Sequence, residues 1–347
     1  MLKRLLPALM VASLAAVTAA DARQSPQLRL VVSKFEGQSD LGQNVSTVVA
    51  LSLWRTLRRP PENDPNAVYS AVVVWPAASD QPVRTPQQAA RLRAGFVVWG
   101  AASYYGDGVV VDSYLSTPES RDVYNSRWTV RSGEAAVSLD LPREVFHLGS
   151  DVMPARLVDH YSSPGVIAVC STQRPGCTGP AVGDGMTGLQ HDVEWSQVRL
   201  DSGPTGWIHQ PGLARVSGAT APFAGGLIAY YRGQFAYAAQ QWAQIASIST
   251  APAALKEDAS SLALAARLRA GTSNPTRCDA TWDPQSVFLG QVAVMGWLDR
   301  AVMASDARRA SAFANAATCL GLARALLEPD DPWLLQAENL IQTESSH

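Results

Sequence analysis

Residues 161–213 break into short apolar runs separated by Gly and Asp: Val166-Ile167-Ala168-Val169, then Trp195-Ser196-Gln197-Val198-Arg199-Leu200, then Gly206-Trp207-Ile208. Asp201-Ser202-Gly203 stands between the last two as a turn. Each run has the dimensions of a strand and is too short for an ordinary core helix. Short strands in quick succession around tight turns predict a small β-barrel midway along the chain, dividing it into a part before and a part after.

The order Trp195, Val198, a Gly-containing turn, Gly206-Trp207-Ile208 and Leu213 resembles the closing hairpin of a bacterial Src-homology-3 domain. The resemblance implies a barrel over residues 151–218 in which one Trp packs the interior, the Gly-Trp pair follows the turn and Leu213 plugs the end. It implies a binding module, because an aromatic-lined groove takes ligands in such folds. Tyr161, which opens the barrel, is a candidate contact.

The first residues read as an export signal. Lys3 and Arg4 give a basic start, residues 5–17 are apolar, and Ala20-Asp21-Ala22 supplies small residues for cleavage near Ala22. The apolar run is short for a membrane span, and no later run is long and apolar enough to provide one. The expected location is periplasmic or secreted. Losing Lys3, Arg4 and Asp21 with residues 1–22 leaves 26 basic against 29 acidic side chains, which gives no electrostatic case for nucleic acid or anionic lipid. Four cysteines in an exported chain favour disulfides, and the expected pairs are Cys170 with Cys177 and Cys278 with Cys319, each inside one module. Their spacings are not those of paired zinc knuckles, so no metal is expected.

Before the barrel, residues 28–32 read as a buried strand. Leu41, Val45, Val49, Leu53 and Leu57 recur every fourth residue on one helical face that Pro60-Pro61 ends. Residues 71–75 form a second strand. Thr85-Pro86-Gln87-Gln88 then places a cap, a Pro in the first turn and a Gln three residues after the cap. Residues 96–100 and 109–115 are strands joined through Gly106-Asp107-Gly108, and the alternation in 127–141 extends or edges the same sheet. Residues 142–154 read as a connection. This order predicts an α/β sandwich over residues 23–150. Leu30-Val31-Val32-Ser33-Lys34-Phe35, with the run from Ala90 to Gly100 leading into the Gly-Asp hairpin, resembles the N-terminal domain of TolB and related envelope proteins. That resemblance implies an envelope setting and a role in protein contact, and it carries over no catalytic residue.

From Ala221 the texture becomes Ala-rich with helical period. Gly226, Gly233, Phe235, Ala238 and Trp242 are spaced so that small residues let two helices approach while Phe and Trp fill the gap. The pattern resembles a tetratricopeptide repeat and implies a helical domain over residues 219–347 with a peptide-binding face. Residues 253–270, 286–303 and 305–327 add further helices, and Pro332 starts a last one.

No Gly-x-Ser-x-Gly elbow carries a serine, and four of the five histidines, His147, His160, His191 and His209, stand singly. Asn44-Val45-Ser46 fits a glycosylation pattern but falls inside a helix. No catalytic residue, cofactor or metal ligand is expected. The better candidates for ligand contact are aromatic: Tyr104 and Tyr105 before the hairpin tip, Tyr161, and Tyr230 and Tyr231 on the first repeat helix. The fold expected is therefore α+β multidomain: an α/β sandwich, a small Src-homology-3-like barrel and a tetratricopeptide-like helical domain. The function expected is that of a non-enzymatic adaptor or scaffold for envelope proteins, or alternatively a cell-wall protein that recognises peptidoglycan peptides.

Overall fold

The computed structural model describes residues 29–57, 72–74, 81–91, 95–117, 126–161, 169–174, 177, 186–192, 194–200, 203–210, 212–213, 218–279 and 281–345. The leader, Pro60-Pro61, the strand reading at Val166-Ile167-Ala168 and the turn at Asp201-Ser202 lie outside them. The architecture is α+β, with three open sheets and nine α-helices among the described residues.

The first sheet begins with β1 (Arg29–Val32), followed by α1 (Leu41–Leu57), β2 (Val72–Val74) and α2 (Pro86–Arg91). β1 pairs in parallel with β2 and with β3 (Phe96–Tyr105), so α1 is a crossover helix lying on one face. Its expected stripe of Leu41, Val45, Val49, Leu53 and Leu57 is buried, but so are Val48, Ala50, Leu51 and Trp54. A helix covered on nearly every side belongs to the middle of a larger core. The buried Ser46 hydroxyl donates to Gly42 O at 2.7 Å and accepts from Phe35 N at 2.9 Å, tying α1 to the segment that leaves β1. Ser46→Ala strands the Phe35 N–H away from water, and a urea titration should show a loss of about 1–3 kcal/mol. α2 begins in a reciprocal capping box, with Gln88 N donating to Thr85 Oγ1 at 3.3 Å and Thr85 N donating to Gln88 Oε1 at 3.2 Å.

β3 turns into β4 (Gly108–Ser116) through the two-residue loop Gly106-Asp107. Gly106 takes φ +61°, the left-handed region that the first position of such a loop favours. Next come β5 (Trp128–Ser132) and β6 (Ala135–Leu139), which form their own two-stranded ribbon. They do not edge the first sheet. The sheet is completed instead by β7 (Val145–Pro154), antiparallel to β4, in the stretch expected to be only a connection. The order is β2-β1-β3-β4-β7. β7 carries a bulge at Leu148-Gly149, with His147 opposite Tyr114 and Gly149 opposite Ser113. Gly149 has φ +107°, and a Cβ there would stand 2.8 Å from Pro252 Cδ and 2.9 Å from Thr250 O. The TolB-like reading is corrected with these observations: the sheet closes on a bulged strand from beyond an inserted ribbon, and the ribbon packs elsewhere.

After the short α3 (Ala155–His160), the middle segment forms β8 (Met186–His191), β9 (Trp195–Leu200) and β10 (Thr205–His209). The expected hairpin is present, with Gly206 opposite Val198. The expected barrel is not: the three strands form an open antiparallel sheet in the order β10-β9-β8, and among the described residues the other side of β10 meets no more than an isolated bridge from Cys170 to Trp207. Among the described residues no sheet closes into a barrel, so the Src-homology-3 reading is set aside.

The helical part consists of α4 (Thr220–Tyr231), α5 (Phe235–Ile245), α6 (Ala253–Arg269), α7 (Val287–Met303), α8 (Asp306–Ala323) and α9 (Pro332–Ser345). It is not a tetratricopeptide array. α6 and α7 are separated by residues 270–286 in place of a short turn, and α9 packs on the β5–β6 ribbon, so no repeating stack is built. Arg309 of α8 donates through Nε to Glu344 Oε2 of α9 at 3.1 Å and through its other nitrogen to Ser132 Oγ of β5 at 3.2 Å. Ser132 also donates to Glu344. Arg143, between β6 and β7, pairs with Asp258 of α6 at 2.7 Å, and Phe146 of β7 packs on Phe223 of α4 with ring centroids 4.8 Å apart. The buried apolar side chains form one continuous cluster running from Leu30 to Ile341, with a small second cluster of Val83, Ala89, Val97 and Trp99 under α2.

Candidate functional site

Strand alternation turns Phe96, Val98 and Leu115 towards α1 and turns Trp99, Tyr114 and His147 to the opposite face of the first sheet. Among the described residues, α2 packs on that face through Ala89, against Val97 and Trp99. Trp99, Tyr114 and His147 are direct neighbours across β3, β4 and β7. Their rings stack at 4.7 Å and 4.8 Å between centroids, with interplanar angles of 20° and 25°. Both faces of the Tyr114 ring are thus taken by its neighbours, so the middle of the row is closed to a stacking ligand.

Beside the row, His147 Nε2 lies 2.7 Å from Asp112 Oδ1, and Ser150 Oγ donates to the same oxygen at 2.9 Å. Ser, His and Asp are together here, but the order is wrong for a nucleophile: Asp112 stands between the other two, and the Ser150 hydroxyl points to a carboxylate and not to an imidazole. The arrangement staples the bulge of β7 from outside, because His147 and Ser150 flank it. Burial pushes the Asp112 carboxyl up, but hydrogen bonds with His147, Ser150 and Tyr114, with the nearby His147 charge, outweigh this and hold it below the ordinary carboxylate range. Burial and the neighbouring Asp112 raise the Tyr114 phenol.

A carboxyl lowered in the folded state contributes stability above its unfolded pKa and loses it as pH falls through the folded value. Asp112→Asn should therefore lower the urea midpoint near neutrality and leave it close to wild type at about pH 2. The side chains of His147 and Asp112 are 45% and 33% exposed, so the loss is expected below about 1 kcal/mol. An equal loss at both pH values would contradict the assignment.

On the inner face, Asp151 of β7 lines a cavity of about 30 Å³ with Ser52 and Val49 of α1, Ser113 of β4, and Gly218 and Thr220 at the start of α4. Burial pushes the Asp151 carboxyl up, partly offset by Thr250 Oγ1 donating to Oδ1 at 2.9 Å. The space holds one or two waters and no substrate. Asp151 is a junction between the sheet and the helical part, and a Cβ added at Gly218 would collide with it.

Of the five tyrosines singled out from sequence, three are buried. Tyr161 stands edge-on to His160 at 5.0 Å, and its phenol is raised by burial. Tyr230 packs between Phe235 and Trp242 with the Arg269 guanidinium 4.9 Å over its ring. Tyr231 meets Phe96 of β3 edge-on at 5.0 Å. Tyr104 and Tyr105, at the end of β3, are 53% and 75% exposed. Sequence reasoning missed Val152, 68% exposed on β7, because β7 was not recognised as a strand. Both disulfides are formed in the expected pairs, Cys170 with Cys177 and Cys278 with Cys319, which leaves no free thiol. Among the described residues no three His, Cys, Asp or Glu side chains gather as a metal requires, and no helix is long and apolar enough to cross a membrane. No family model, curated protein or solved structure matches the chain.

Proposed function

We propose that the chain is an exported, non-enzymatic adaptor or scaffold of the cell envelope that works by protein contact. The observation that carries this reading is the pair Tyr104 and Tyr105, large amphipathic rings left in water at the end of a strand hairpin. Exposed tyrosines at a fixed position are a common currency of protein interfaces, because they give contact area at low entropic cost. The two disulfides and the basic-then-apolar leader support an oxidising location outside the cytoplasm.

Co-purification of the full chain from crosslinked envelopes tests the reading. One or a few proteins should be recovered in amounts comparable to the chain, and recovery of nothing above background would count against it. Sedimentation with purified sacculi separates this reading from recognition of cell-wall peptides: the adaptor stays in the supernatant, and a wall-binding protein pellets.

A further inference from the structure

We propose, resting on the adaptor reading, that the β3–β4 hairpin tip is a wedge. It enters a cleft on a partner protein whose walls are apolar and whose floor presents a basic side chain. Successive strand residues point to opposite faces, so Tyr104 and Tyr105 project from the two sides of the same hairpin end, opposite Val109 and Gly108 respectively. A flat surface can cover one of these rings and not both. A cleft covers both.

The Tyr105 side is extended by β7, whose Pro154 pairs with Gly108 and whose exposed Val152 pairs with Val110. Gly108 has no side chain to interrupt this surface, and a Cβ there would stand only 3.0 Å from Val152 Cγ1. The tip is also held in place before any partner arrives: the Ala155 N–H at the start of α3 donates to Asp107 O at 3.2 Å. A wedge fixed in advance loses little freedom on binding.

Charge selects the class of partner. The strands and turn from Phe96 to Ser116 contain no Lys or Arg, and the exposed Asp107 sits at the point of the tip. An anionic lipid surface repels the Asp107 carboxylate at the point, and the exposed cation that follows the tip's anchor, Arg156, lies on α3 and not on the hairpin that would insert. A cleft that receives Asp107 must offer it a Lys or an Arg, since a carboxylate buried without a countercharge is costly.

The test places a benzophenone-bearing residue at Tyr104, at Tyr105 or, as a remote exposed control, at Met303 in the full chain, and irradiates intact cells. Met303 is 83% exposed. The two tip positions should give the same product, with crosslinks mapping to opposite walls of one cleft and a Lys or Arg between them. Asp107→Lys should reduce its yield by more than about tenfold, and Asp107→Asn, which preserves the turn, by less, while neither moves the melting temperature appreciably. Crosslinking to lipid, crosslinking from Tyr105 alone, or an undiminished yield with Asp107→Lys overturns the wedge. A product from Met303 without one from the tip overturns the wedge and leaves the adaptor reading intact. No product from any position removes both.

Discussion

Trp242→Ala is expected to cost about 3–5 kcal/mol, the largest effect of any single substitution considered for this chain. The indole is 1% exposed on α5 and lies over Gly226 of α4, where an added Cβ would come within 2.4 Å of the ring nitrogen. Phe223 and Tyr230 enclose it, with ring centroids at 6.4 Å and 5.5 Å. Gly226 is therefore the notch and Trp242 the key. Gly226→Ala alone should cost about 1–3 kcal/mol through overpacking. In the Trp242→Ala background the same change should cost nothing or help, since the space is then vacant and Ala favours a helix over Gly by about 1 kcal/mol. A double-mutant cycle on urea midpoints measures this coupling. Additive effects would show that the two helices do not meet as described.

The second large effect belongs to the Cys278–Cys319 disulfide. It closes a loop with a sequence separation of 41, against 7 for Cys170–Cys177. Chain-entropy arguments give about 4 kcal/mol for the long loop and about 2 kcal/mol for the short one. The long bridge also fastens residues 270–279 over α7, where Trp297 Nε1 donates to Thr276 O at 2.7 Å and Arg300 donates to Asn274 Oδ1 at 2.8 Å. Replacing both Cys278 and Cys319 with Ala should lower the unfolding midpoint well below that of the Cys170→Ala, Cys177→Ala variant. Against a total stability of about 5–15 kcal/mol, the first loss threatens folding at growth temperature and the second does not. Equal midpoints for the two variants would contradict the strapping role.

What the sequence disclosed were the features that local chemistry decides. The Thr85–Gln88 capping box, the stripe of α1, the β9–β10 hairpin and the pairing of the cysteines each depend on residues close in sequence or on plain counting. The barrel did not follow, because closure requires every edge to find a partner, and a hairpin pattern says nothing about its outer edges. β7 was hidden by its own bulge: Phe146 and Leu148 face inward, then the parity shifts and Asp151 and Met153 face inward, so no period of two survives across Gly149. The ribbon of β5 and β6 was legible as strands, but its docking on α9 was not, since that depends on Ser132, Arg309 and Glu344 meeting from distant parts of the chain. Tyr230 and Tyr231 look like contact residues in the sequence because α4 reads as the first helix of a tetratricopeptide-like repeat with a peptide-binding face. It is buried on nearly all sides, between α5 and the first sheet.

Whether this chain works by protein contact is decided by the composition of the native particle that contains it when cell envelopes are extracted gently and sized under mild conditions. The expected particle holds the chain and a different polypeptide in fixed proportion, and Tyr104→Ser, Tyr105→Ser releases the chain alone from it with its melting temperature intact. A wild-type chain that migrates by itself, at the same size as that double variant, would contradict it.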